Sequence, residues 1–294
     1  MLNLNQRYSQ IRVLLKCIDF FAGIGAWELA SSLVNPISQV KFRTIELIEI
    51  NPHAQKVLQS HFPEISIYSD IRSYEPIPHE ADVIFCSFPC TNTSAAGKKE
   101  GLAGNESSLW FEALRCIIIG RPTFVVIEQP KGFIDRGLRT ALAGLYLAGY
   151  QTEVEVISAS ELGAPHERQR VFIIAYRDDL ALESRKGWIC WSEQLGNHIK
   201  IAKSFVSYPE TQPGTVRLLN GFPQWMDSIT HDNWWKFNQP PTESGIAPRT
   251  PGRRECVSLY GRSIVPQCAA IALMRVQFLA SLINHSFQAN QGNE

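Results

Sequence analysis

Several things are missing from this sequence, and each absence removes a class of protein. Its seven cysteines are odd in number and scattered, with no CxxC pair. That argues against a disulfide framework and a structural zinc site, and for a reducing compartment. No apolar leader opens the chain and no segment approaches bilayer-spanning length, so a soluble, cytoplasmic protein with no membrane partner is expected. Internal repeats and low-complexity tracts are also missing. Net charge is zero, from 28 Lys+Arg against 28 Asp+Glu, so composition alone does not announce a nucleic-acid partner. What the chain has is apolar mass: 45% of its 294 residues are hydrophobic. That is enough for a large core, as one domain or as a main domain with a smaller lobe.

The chain is organised around residues 81–94, ADVIFCSFPCTNTS. Val83, Ile84 and Phe85 suit a buried parallel strand. Pro89 ends it and sets Cys90 just past its carboxyl end, the edge where open α/β sheets collect ligands. A cysteine there can serve as a nucleophile if its thiolate is stabilised. A small buried cysteine is the blander and commoner fate, so Cys90 needs support from the rest of the chain.

Residues 12–21 read as a first strand running into Phe21-Ala22-Gly23-Ile24-Gly25, and residues 26–33 have helical spacing. Strand, glycine turn and helix let a backbone approach a nucleotide-like ligand closely. Glu28 stands where the dinucleotide fingerprint has its third glycine, which disfavours a dehydrogenase. A second strand, 42–50, ends at Glu49 and Ile50, about where such folds hold ribose hydroxyls; a carboxylate favoured by the dipole of helix 52–61 is the structural alternative. A third strand, 65–68, is followed by Asp70 and Ile71. Beyond Cys90, residues 94–108 have the composition of a mobile lid or of a plain solvated loop. A helix over 109–119, a strand over 122–127 leading to Glu128-Gln129-Pro130, a helix over 138–148 and a strand over 152–158 follow. Arg168 and Arg170 precede a strand at 171–175, and a spacing of two puts both on one side of an extended backbone. The final helix is expected over 264–283.

FAGIG at Phe21, Glu49, Asp70, FPC at Phe88, EQP at Glu128, HERQR at His166 and GRSIVPQ at Gly261 occur in this order. In that order and spacing the chain resembles the C5-cytosine DNA methyltransferase family over nearly its whole length. The resemblance implies a doubly wound, mostly parallel Rossmann-like sheet that binds S-adenosylmethionine. It also implies a small inserted target-recognition lobe, a monomer, and double-stranded DNA as partner. Residues 1–177 plus 255–294 would form the catalytic domain and 178–254 the lobe, which is rich in Trp, Pro and Gly.

By resemblance, Cys90 attacks C6 of a flipped cytosine, Glu128 serves ring N3, Arg170 holds the O2 side, and Arg168 braces Glu128 and the DNA backbone. The base leaves the duplex to reach the pocket. Cofactor contacts would come from Phe21, Ala22, Gly23, Ile24, Gly25, Trp27, Glu49, Ile50, Asp70, Ile71, Pro89, Arg262 and Ser263. DNA contacts would come from Ser94, Gly97, Lys98 and Arg253. Two alternatives stay open. One is a tRNA cytosine-5 methyltransferase on the same fold, whose Cys-Phe-Thr signature is absent here. The other is a non-catalytic DNA-binding relative, against which the joint presence of Cys90, Glu128, Arg168 and Arg170 argues.

The departures from the family pattern leave these four side chains in place. Thr91 stands for a usual Gln, Gln129 for a usual Asn, and Arg262 for the usual Asn of the last motif. That motif lies by the cofactor's sulfonium, where a guanidinium meets a like charge. At ~4 Å the pair costs on the order of 1 kcal/mol in water and ~4 kcal/mol at an effective dielectric near 20. A carboxylate on the transferred group would reverse the sign. Carboxy-S-adenosylmethionine is therefore an alternative cofactor expectation, with Arg262 turned to a phosphate or an acid as the opposing one.

Overall fold

The structure, a computed structural model, describes residues 13–89, 109–164, 167–205, 259 and 263–291, with side chains as far as Ile283. Seven strands form one sheet: β1 Val13–Phe20, β2 Val40–Ile48, β3 Ser66–Tyr68, β4 Val83–Cys86, β5 Phe124–Pro130, β6 Tyr150–Ile157 and β7 Arg170–Arg177. Their order across the sheet is β3-β2-β1-β4-β5-β7-β6. β1 to β5 are mutually parallel, and β7 runs antiparallel between β5 and β6. This is the expected mostly parallel, doubly wound α/β architecture. The helices are α1 Ala26–Val34, α2 Pro52–His61, α3 Leu109–Gly120, a single turn α4 Phe133–Arg136, α5 Leu138–Leu147, α6 Trp191–Ser204 and α7 Pro266–Gln291.

Strands buried on both faces read as nearly continuous apolar runs because neither face meets water. One face packs Trp27, Phe85, Phe172 and Trp191 under α1, α6 and α7. The other packs Phe88, Trp110, Ile127 and Phe133 under α3, α4 and α5. Between them the layers set the edge that matters. The parallel strands end at Phe20, Ile48, Cys86 and Pro130 on one side of the sheet. β7 is antiparallel, so its first residue, Arg170, joins that same side opposite Pro130.

Two expectations are corrected. The segment from Asp178 onward was assigned to a separate lobe, yet Leu182, Trp191 and Ala202 are buried in the main core, with Trp188, Leu195 and Ile199 packed against it. Positions 191, 195, 199 and 202 form one apolar helical stripe, with Trp188 packed just before it, and tryptophan content disguises this as a lobe signature. Residues 206–254 lie outside the described residues. A segment of membrane-spanning length does exist: Pro266–Ile283 has 18 residues and a mean hydropathy of 1.4. It is 83% buried inside the protein, as the central helix of the core.

That helix carries a cation into the interior. Arg275 is fully buried and grips both oxygens of Glu153 in β6, at 2.6 and 2.8 Å, and the amide oxygen of Gln194 in α6. Three elements are tied by one guanidinium, whose planar fork suits such bidentate bonding. Beside it His198 is held neutral, its pKa pushed down to about 4 by burial and by the charge of Arg275.

Candidate active site at the carboxyl edge of the sheet

The glycine turn comes first along this edge. Phe21, Gly23 and Gly25 all have positive φ, at 63°, 59° and 86°. At Gly25 a Cβ would lie 2.5 Å from the ring of Phe62, so that glycine is required by packing as well as by backbone conformation. At Gly23 an added Cβ would approach nothing closer than the Phe21 carbonyl at 4.0 Å, leaving an open cradle over the turn. The carboxylate of Glu49 accepts from the amide of Gly23 at 2.8 Å and from that of Asn51 at 2.7 Å. Glu49 thus fixes the turn from the neighbouring strand. Ile50 beside it is 58% exposed, an apolar surface at the mouth of the cradle. Asp70 accepts from Arg72 through both oxygens, the shortest bond being 2.6 Å, and Arg72 holds its pKa below the usual carboxylate range. Ile24 and Ile71 are buried.

Trp27 is corrected. Its side chain is 1% exposed and stacks on Phe85 at 4.9 Å between centroids, with its indole N–H donating to Ser87 Oγ at 3.1 Å. The ring is a core element under the turn and is not available to a ligand.

A buried acid pair that sequence reasoning missed lies beneath the turn. Asp19, at the end of β1, is 0% exposed, and its carboxyl faces that of Glu28 with no donor from any other described residue. Glu28, in the first turn of α1, accepts from Thr44 Oγ1 at 2.9 Å. Burial raises both pKa values, that of Glu28 to about 7, and for Asp19 the nearby Glu28 and Glu49 add to the rise. The clue available in sequence was a carboxylate inside an otherwise apolar strand.

The second half of the edge lies at β4, β5 and β7. In the β5–β7 register Glu128 faces Phe172 and Pro130 faces Arg170, so Glu128 and Arg170 are diagonal neighbours on one sheet face. Their side chains meet, Nε to Oε1, at 2.7 Å, with the carboxylate 7% and the guanidinium 15% exposed. Arg168 adds a second buried guanidinium and donates to the main-chain carbonyl of Ser263. It does not share an extended backbone with Arg170 as the spacing suggested: its φ is 36°, and the chain turns there before entering β7. Burial pushes the carboxyl pKa of Glu128 up, against the two arginines that pull it down. Burial and the neighbouring Arg170 lower Arg168 to about 10. A carboxyl raised by burial yet hydrogen-bonded to a cation is suited to hold or hand over a proton.

Phe88 and Pro89 close β4's end of the edge. Gln129 donates from Nε2 to the Phe88 carbonyl at 3.0 Å, a bond that sequence reasoning did not anticipate. The structure therefore brings Glu128, Arg168, Arg170 and Ser263 together, and assembles Phe21 to Gly25 with Glu49 and Ile50 along the same sheet edge. Cys90, Arg262, Ser94, Gly97, Lys98 and Arg253 lie outside the described residues. Lys200 and Lys203 are exposed on α6.

The sequence profile of the family described as C-5 cytosine-specific DNA methylase matches residues 15–246. Type II methyltransferase M.DsaV of Dactylococcopsis salina is 30% identical over 170 residues, 56% of this chain and 46% of that protein. M.HhaI of Haemophilus parahaemolyticus is 26% identical over 174 residues, 58% of this chain and 51% of that one. The chain thus matches about half the length of these curated relatives. In fold, the crystal structure of the S. pombe Dnmt2 methyltransferase superposes with a TM-score of 0.58 at 13% identity, covering 92% of this chain and 99% of that one.

Proposed function

The chain belongs to the C-5 cytosine-specific DNA methylase family, and on that premise we propose that it transfers a one-carbon-linked group to C5 of a cytosine flipped from double-stranded DNA, acting as a monomer. The observation that carries this reading is the buried Glu128–Arg170 pair with Arg168 beside it, on the strand next to the one that leads through Phe88-Pro89 to Cys90.

The open cradle over Gly23 and the exposed face of Ile50 fit an adenosyl cofactor such as S-adenosylmethionine. Glu49 would meet its ribose, with Ile50 against the base and the backbone of Phe21 to Gly25 against the remainder. When bound, this cofactor supplies an electrophilic carbon on a sulfonium. The protein's part is to make C5 of cytosine nucleophilic. Cys90 adds through its thiolate to C6. The electron pair displaced from the C5–C6 bond is drawn toward N3, where Glu128 supplies a proton or hydrogen bond from a carboxyl that burial keeps protonatable. Arg170 orients Glu128 and the O2 side of the base, and Arg168 holds the Ser263 segment against them. Loss of the C5 proton then expels Cys90 and restores the aromatic ring.

A second reading of the transferred group rests on Arg262. It immediately precedes Ser263, whose carbonyl is held by Arg168 next to Glu128, so the arginine is one peptide bond from a residue tethered at the site. A guanidinium there favours carboxy-S-adenosylmethionine and 5-carboxymethylcytosine as product. Mass analysis of nucleosides from duplex DNA treated with the two cofactors in competition tests both readings. Modified cytosine at C5 in duplex DNA and none in tRNA is the expected result. Arg262→Asn should shift the product from carboxymethyl to methyl. Methyl alone from the parent would remove the carboxymethyl reading, and unmodified DNA with either cofactor would remove the whole proposal.

A further inference from the structure

Arg168 stands in a backbone conformation that side chains disfavour. Its φ is 36°, in the left-handed region that glycine usually occupies. A larger residue persists there only when its surroundings fix it. Arg168 is also one of the two guanidiniums beside Glu128, so whatever fixes its turn belongs to the working of the site.

The holding groups come from the short turn after β6, Ala159–Leu162, which Ser158 caps. β6 and β7 stay paired as far as Ile157 opposite Arg170, and in unbroken antiparallel register Ala159 would then face Arg168. Instead the Ala159 amide donates to the Glu167 carbonyl, one residue further, at 2.8 Å. The residue that takes up the slip is Arg168, in its left-handed conformation. The Ser158 hydroxyl donates to the same Glu167 carbonyl at 2.6 Å. That carbonyl lies in the peptide plane joining Glu167 to Arg168, the plane whose rotation sets φ at Arg168. It is gripped twice, by a main-chain amide and by a side chain. Ser158 is 6% exposed and is itself braced. Its amide donates to Glu161 Oε2 at 2.8 Å, its hydroxyl oxygen receives the Glu161 amide in the same capping box, and Ser160 Oγ lies 2.7 Å away. A hydroxyl engaged as donor and acceptor at once has little freedom to turn.

We propose that Ser158 is a positioning residue for Arg168: its hydroxyl fixes the Glu167–Arg168 peptide plane and so holds the left-handed turn that keeps the Arg168 guanidinium beside Glu128 and on the Ser263 carbonyl. Its action runs through Arg168 alone. With the hydroxyl removed, the peptide keeps only the Ala159 amide and can rotate toward the extended conformation that arginine prefers. That rotation carries the guanidinium away from Glu128. The charged and titratable side chains around Glu128 among the described residues are Arg170, Arg168 and Cys268. Losing one cation of two lets burial raise the Glu128 carboxyl further. The proposal rests on the reading of Glu128 as the group that serves the base, and its test separates the two.

The experiment uses the full chain and two variants, Ser158→Ala, which removes the hydroxyl, and Ser158→Thr, which keeps it. Two quantities are read: trypsin cleavage after Arg168, mapped by peptide mass, and the rate of SDS-stable adduct formation with a 5-fluorocytosine duplex across pH. Ser158→Ala should speed cleavage after Arg168 by roughly tenfold through local opening. Cleavage after Arg72, whose side chain is 61% exposed, should not change. Adduct formation at the parent's optimal pH should fall by roughly tenfold, with S-adenosylmethionine affinity within about twofold of the parent. The limb of the pH profile on which Glu128 loses its proton should move to higher pH by up to about one unit. Ser158→Thr, also a good N-cap residue, should stay within about threefold of the parent in both readouts. Unchanged cleavage after Arg168 in Ser158→Ala overturns the proposal, as does faster cleavage with an unmoved pH profile. Equal acceleration at Arg72 also overturns it, because the loss would then be general unfolding, and so does a threonine variant no better than alanine. A parent that gives no adduct at any pH condemns the reading of the catalytic residues instead; the clamp is then judged on cleavage after Arg168 alone.

Discussion

Among the described residues two arginine–glutamate pairs are buried, and the contrast between them separates scaffold from site. Arg275 and Glu153 form a closed unit: a guanidinium with no exposure, two bonds to one carboxylate, and Gln194 on its remaining arm. The charges are matched and the geometry is bidentate. Arg170 and Glu128 meet through an Nε–Oε1 contact at 2.7 Å, with a second guanidinium, Arg168, crowded beside them. Two cations around one carboxyl leave a local excess of positive charge, and burial still raises that carboxyl's pKa. The first pair locks α6, α7 and β6 together. The second is arranged to receive a polar ring and a proton.

The comparison predicts opposite consequences for similar substitutions. Glu128→Gln keeps the shape but loses the transferable proton, so transfer should fall by roughly 100- to 10,000-fold while the melting temperature stays near that of the parent. A Gln variant retaining parental turnover would break the contrast from the side of the site. Next in size, Arg275→Met should leave Glu153 buried without its counter-charge and destabilise by about 3–5 kcal/mol, read as a lower urea midpoint. A small loss there would mean that the pair is ornamental. Deleting the Trp188-to-Lys203 segment should unfold the domain for the same reason, since α6 supplies Gln194 and core side chains.

The smallest effect comes from a carboxyl that has no arginine. Burial raises Glu28 to about 7, so the folded state holds its proton more tightly than the unfolded chain does. Its stabilising contribution is fully present below the unfolded value, near 4.5, and is lost as pH rises through about 7. Unfolding free energy should therefore decline between the unfolded value and about pH 7 and level off above it, by up to about 1.4 kcal/mol per pH unit for each proton released. Glu28→Gln should flatten the decline. A parent whose stability is level through this window would remove the buried acid pair from the account.

Much of this was open to reading in the sequence, and the failures have physical causes. Strands announced themselves because a strand buried on both faces has nowhere to place polar residues, and helix Pro52–His61 was delimited by Asn51 at its N-cap and Pro52 in its first turn. The run from Glu128 to Arg170 could be read as a site because its residue types are rare in strands. Arg168 was misjudged because alternation assumes extended backbone, and a φ of 36° breaks that assumption. Trp27 and the tryptophans around α6 were given to ligand and lobe because large aromatics serve cores and surfaces alike. The Arg275–Glu153 pair spans 122 positions, a distance over which local pattern carries no information. The Gln129 bond to Phe88 likewise joins two strands that only the folded sheet makes neighbours.

The most direct test of the central claim is trapping. A duplex carrying 5-fluorocytosine, incubated with the full chain and cofactor, should yield an SDS-stable protein–DNA adduct, because fluorine at C5 cannot leave as a proton. Peptide mass mapping should place the link at Cys90, and Cys90→Ser should abolish it. Mapping to any other residue, or trapping at the parent rate by the serine variant, would contradict the account.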